Sequence, residues 1–120
     1  MFKYHNENPQ NYHIPDCVIR AITLAMNIPY YEVVMLLQDN GDYYSCDCLN
    51  KMCYEKLLDY DFGLKHYIGN GKMAEDVAND FPNNILILRM DKHLSTSVYG
   101  VIHDIWDCSN EEITDFWIVK

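Results

Sequence analysis

The hydrophobic spacing of this 120-residue chain changes once, from the repeat of amphipathic helices to the short continuous apolar runs of strands, and the switch falls near residue 85. Before it, Asp16 is placed to cap a first helix carrying Val18, Ala21, Ile22, Ala25 and Met26, which Asn27-Ile28-Pro29 breaks. A second helix starts at Pro29, carries Val33, Val34, Leu36 and Leu37, and is closed by Asp39-Asn40-Gly41. A third is expected over 48–60 with Gly63 as its stop, then a short strand over 64–68, a turn at Gly69-Asn70-Gly71 and a short helix around Met73, Val77 and Ala78. After the switch, strands are predicted over 85–88, 93–98, 101–106 and 113–119. The order implies an α+β fold, N-terminal helices packed on a C-terminal antiparallel β-sheet, in a single domain over 1–120.

Tyr99-Gly100 fits a two-residue hairpin turn, which fixes which side chains meet. With Val98 opposite Val101, His93 lies opposite Trp106 and Ser95 opposite Asp104, so all four share one face. Asp107 points to the other face unless a bulge intervenes, and is the weaker partner for His93.

Cys17 stands in the first turn of the first helix, where the dipole and unpaired N–H groups favour thiolate over thiol. A thiol there and a histidine with a carboxylate diagonal to it point to nucleophilic catalysis. The competing readings are ordinary: Cys17 as a core thiol, His93 as a polar strand end, Asp104 as a solvent-facing strand residue. His13 is an alternative proton acceptor, although it precedes the helix.

Eighteen Asp and Glu against nine Lys and Arg give a formal charge of −9, which repels nucleic acid and favours basic partners. The first ten residues are polar and no run reaches the roughly 18 apolar residues of a membrane span, so a cytoplasmic location with no membrane partner is expected. An odd number of cysteines, five, argues for reduced thiols. A zinc site built on Cys46, Cys48 and Cys53, with Cys108 or His66 as fourth ligand, has unusual spacing, and the expectation is no metal and no cofactor.

Asp16-Cys17-Val18-Ile19-Arg20-Ala21-Ile22, with Tyr99-Gly100-Val101-Ile102-His103-Asp104-Ile105-Trp106-Asp107, resembles small papain-like cysteine peptidase-fold proteins of phages and bacteria that have no characterised activity. His103-Asp104-Ile105-Trp106 stands where papain relatives carry Lys-Asn-Ser-Trp. The resemblance implies a papain-like domain with Cys17 as nucleophile, His93 as base, Asp104 as the group orienting the imidazole and Trp106 as its shield. It places Asn11, in the position of an oxyanion-stabilising Gln, as a shorter-armed donor. The Gly-rich surroundings of papain's cysteine are missing, and a loop over 42–47 or the substrate itself would have to supply the far cleft wall. The activity implied is hydrolysis of a peptide, isopeptide or related amide bond in a protein or peptide substrate, or acyl transfer to an amine. The alternative is an acidic inhibitor on a papain-like shell that occupies a basic host protein, such as a defence nuclease, in the host cytoplasm. Oligomeric state is not legible.

Overall fold

Six strands form one mixed sheet in the order β1-β5-β4-β3-β6-β2 in the structure, a computed structural model that describes residues 1–120. The strands are β1 (Phe2–Tyr4), β2 (Lys65–Ile68), β3 (Ile85–Met90), β4 (His93–Val98), β5 (Val101–Asp104) and β6 (Ile113–Ile118). The helices are α1 (Cys17–Met26), α2 (Tyr30–Tyr44), α3 (Lys51–Lys56) and α4 (Ala74–Asp80). β3 sits at the centre, antiparallel to β4 and β6, and its Leu86-Ile87-Leu88 run is buried because both of its faces are covered. Ile87, with Leu94 and Trp117, packs against Val18 and Ile22 of α1, Val33 and Leu37 of α2, and Leu57 just after α3. Leu86, Leu88 and Met90 pack on the opposite face against Ala74, Val77 and Ala78 of α4. Each fully buried Leu or Ile contributes roughly 1.5–3 kcal/mol, so this two-sided strand is the main apolar anchor of the fold.

The sheet corrects the antiparallel expectation. β1 pairs parallel to β5, Tyr4 opposite Asp104, and was invisible to periodicity because Phe2-Lys3-Tyr4 is short and mostly exposed. The last strand is not an edge: β6 lies between β3 and β2, and β1 and β2 form the borders. The β4–β5 register is Val98↔Val101, Ser97↔Ile102 and Thr96↔His103, with Tyr99 and Gly100 both at positive φ, the backbone a tight two-residue hairpin requires. β5 ends at Asp104, so Ile105 and Trp106 leave the ladder that 101–106 was expected to form.

Helix ends differ from the sequence reading for local reasons. Gly41 does not stop α2. It is buried inside the helix because the following loop crosses it, and a Cβ there would lie 2.9 Å from the Cys46 carbonyl and 3.0 Å from Cys48 Cβ. The helix ends at Ser45 in the left-handed conformation. α3 begins at Lys51, capped by the Asn50 side chain on the Met52 N–H, and passes into a π-helical turn over Leu57–Asp61. That wider turn buries both Leu57 and Leu58 and brings Asp59 onto the Trp117 indole N–H at 2.7 Å. Cys46 and Cys53 form a disulfide, which corrects the reduced-thiol reading: the turn after Ser45 brings the loop back onto α3. Cys48 packs against the α1–α3 core and Cys108 is buried in the α4 core, so the cysteines do not gather into a zinc cluster. No helix is long and apolar enough to cross a membrane.

Gly69 tests the β2–β6 junction. A Cβ on it would sit 2.1 Å from the Ile113 carbonyl oxygen, whereas one on Gly63 meets nothing but is strained by φ +61. Gly69→Ala is expected to lower stability by about 1–3 kcal/mol, and Gly63→Ala by about 1 kcal/mol. Urea unfolding midpoints read the order, and Gly63→Ala as the worse variant would overturn the close approach.

Candidate active site around Cys17

The start of α1 is built around a buried cation. Arg20, one turn after Asp16, donates from Nε to Asp16 Oδ1 at 2.6 Å and from Nη1 to Asp104 Oδ1 at 2.9 Å, and all three residues are nearly sealed from solvent. Asp16 also accepts from the Tyr30 hydroxyl at 2.7 Å and the Asn8 amide at 3.1 Å. Burial alone would raise the Asp16 carboxyl, but the bonds from Tyr30, Arg20 and Asn8 outweigh it and hold the group below the ordinary carboxylate range. Asp16 therefore makes no side-chain cap, contrary to the sequence expectation, and the N–H groups of Cys17, Val18 and Ile19 are left without protein acceptors.

At the other end of the clamp, Asp104 is shared. Its Oδ2 accepts from Ser95 Oγ at 2.6 Å and lies 2.6 Å from His93 Nε2, and its Oδ1 takes the Ile105 N–H at 2.7 Å. Burial pushes this carboxyl up, but His93, Ser95 and the Ile105 amide hold it low. With Nε2 on Asp104, Nδ1 is the ring nitrogen left for Cys17. Burial also disfavours charge on His93, yet the hydrogen bond to Asp104 and the charge of that carboxylate, helped by the Cys108 and Cys17 thiols nearby, raise its pKa to about 11. For the half-buried Cys17 thiol, burial is again opposed, by His93, the Leu94 N–H and Arg20, and the net direction is down. The shifts at Cys17 and His93 thus favour thiolate and imidazolium.

Trp106 stands against the His93 ring with centroids 4.8 Å apart and planes tilted by 51°, and is itself 41% exposed. Asp107 is not the orienting group: it is exposed and its carboxylate accepts the Ser109 N–H at 3.0 Å. Asn11 is exposed, at φ +55, and lines neither cavity that touches Cys17, which leaves it no place as an oxyanion donor. His13 is turned to the Tyr4 hydroxyl at 2.8 Å. Sequence reading gave no role to Arg20, although its spacing from Asp16 is that of a helical ion pair, or to Asn8, and it weighed Cys108 only as a zinc ligand; the bonds of Asn8 and Tyr30 to Asp16 and of Cys108 to Asp104 arise from contacts across the fold.

A cleft of about 430 Å³ opens beside the pair. Cys17 and Val18 reach it from α1, Leu49, Asn50, Lys51 and Tyr54 form one wall, and Arg89 to His93 form the other with Thr114. The far wall is thus the start of α3, not the loop over 42–47. On the other side of Cys17, a void of about 10 Å³ bounded by Arg20, Ser95 and Asp104 has room for about one water. Two sets of metal-type ligands are close, His93 with Asp104 and Cys108, and Glu55 with Asp59 and His66. In the first, His93 and Asp104 are bonded to each other, and in the second, both ring nitrogens of His66 are on carboxylates, Asp59 and Asp115.

Arg20→Gln is expected to cost about 3–5 kcal/mol, because it leaves buried Asp16 without a cation and Asp104 with His93 alone. The stabilisation from the depressed carboxyls of Asp16 and Asp104 is fully present above about pH 4, their unfolded range, and is lost as pH falls through their lower folded values. In Arg20→Gln those folded values rise, so the acid loss of stability begins at higher pH. Urea midpoints between about pH 3 and 7 check this, and equal pH slopes in both proteins would show that the clamp does not hold the carboxyls down.

Comparison with protein-family models, with curated proteins and with solved structures finds no match to this chain.

Proposed function

We propose that this chain is a small papain-like cysteine hydrolase that cleaves a peptide, isopeptide or related amide bond through an acyl-enzyme. The observation that carries the reading is the series Cys17, His93 and Asp104, with His93 Nε2 on Asp104 at 2.6 Å and with Cys17 and His93 lining the same open cleft.

In this reading the Cys17 thiolate attacks the carbonyl carbon of the bound amide. The oxygen that gains charge faces the free N–H groups at the start of α1, those of Cys17 and Val18, which take the donor role once expected of Asn11. His93 passes the proton on Nδ1 to the amine as the C–N bond breaks, leaving a thioester on Cys17. Neutral His93 then takes a proton from water, the resulting hydroxide equivalent attacks the thioester, and the acid leaves as the thiolate returns. Asp104 keeps the ring oriented throughout and balances its charge, and Ser95 and Arg20 hold Asp104 in place. Trp106 covers the ring, which keeps the hydrogen bond to Asp104 partly dry.

The test is the rate of Cys17 alkylation by iodoacetamide as a function of pH, located by mass spectrometry. Fast labelling of Cys17 that persists well below the ordinary thiol range near 8.5, and is lost in His93→Ala, is the expected result. Labelling that follows an ordinary thiol titration in the unchanged protein would overturn the reading. Turnover, once a substrate is in hand, is expected to rise on the acid side with the thiolate and to fall on the alkaline side as His93 loses its proton near about 11. Cys17→Ala is expected to abolish it without loss of fold.

A further inference from the structure

The cleft beside Cys17 carries a charge opposite to that of the chain. Carboxylates outnumber lysines and arginines eighteen to nine overall, yet the cleft is lined by Lys51, Arg89 and Lys92 against one carboxylate, Asp91. Arg89 is already committed to Asp115 and Glu55. Lys51 and Lys92 are exposed and take part in none of the ion pairs of the protein.

Both lysines also occupy positions that local structure disfavours. Lys92 forms the β3–β4 turn at φ +58, where glycine or asparagine is the low-cost choice, and it directly precedes His93. Lys51 is the first residue of α3, the helix end where a carboxylate is preferred to a cation. Neither side chain has an internal partner that would explain it. The feature they share is the cleft, which Cys17 also lines.

We infer that the cleft selects an acidic substrate: a peptide or isopeptide with an aspartate or glutamate carboxylate close to the scissile amide, held by Lys51 and Lys92. The inference rests on the hydrolase reading, and it deepens that reading by naming the substrate class. A cleft of about 430 Å³ lies within the range of sites for small ligands and short peptide segments. The −9 charge of the chain repels such a substrate at long range, so the two lysines supply a local reversal at the site where the bond is cut.

Iodoacetate and iodoacetamide form the same S–C bond with Cys17 and release the same iodide, and they differ only in carboxylate against carboxamide. The ratio of their rates at Cys17, normalised to the ratio for glutathione, therefore reads the charge preference of the cleft. At low ionic strength the ratio is expected to fall about tenfold from the unchanged protein to Lys51→Gln/Lys92→Gln, and the difference is expected to vanish in about 1 M salt. Lys65→Gln, an exposed β2 residue outside the cleft, controls for net charge and is expected to leave the ratio unaltered. Rapid iodoacetamide labelling with the same ratio in the double variant and the unchanged protein overturns the acidic preference and leaves the hydrolase reading standing. Slow labelling by both reagents in the unchanged protein overturns both. Unaltered thermal unfolding of the double variant shows that a change in ratio is not a loss of fold.

Discussion

The buried guanidinium of Arg20, held between Asp16 and Asp104, is the interaction on which the site depends. An unpaired charge at that depth would cost several kcal/mol, and only two carboxylates with further donors around them make it tolerable. One partner is a helical turn away and the other is 84 residues on, so the clamp joins the start of α1 to the end of β5. Its second effect is on the helix. By drawing the Asp16 side chain away from the first turn, it leaves the N–H groups around Cys17 free, which a capping aspartate would have consumed.

From that clamp runs a line of alternating charge: Arg20 positive, Asp104 negative, His93 favouring the proton, Cys17 favouring its loss. Burial opposes charge at every one of these groups, and at each the neighbouring partners win. The line ends at the cleft, which Lys51 and Lys92 also line. A second network, Arg89 with Asp115, Glu55, His66 and Asp59, sits behind one wall of the cleft and ties α3 to the sheet, which makes that wall firm without a second lobe.

Legibility followed the range of the interactions. The four C-terminal strands and the Tyr99-Gly100 hairpin were readable because alternation and turn chemistry are local, and the hairpin register alone put His93, Ser95 and Asp104 on one face. β1 was not readable, since three residues with one half-buried side chain carry no period and gain order only from β5. Gly41 looked like a helix stop because its requirement, space for the Cys46–Cys48 backbone, lies outside the helix. Asp16 looked like a cap for the same reason: its sequence position is right, but distant partners bond its oxygens more strongly. Asn11, counted back from Cys17, lies in an exposed loop with a left-handed backbone, and a count of residues cannot follow such a bend.

The sequence by itself determined the four helices, the strands β2 to β6, the hairpin register and the thiol at a helix start, because each is set by neighbours within a few residues. Tertiary structure alone decided that the sheet is mixed and covered on both faces, that Cys46 joins Cys53, that Arg20 bridges Asp16 to Asp104, and that two lysines face one cleft. Those features depend on which residues burial brings together from separate parts of the chain, and no local pattern records that.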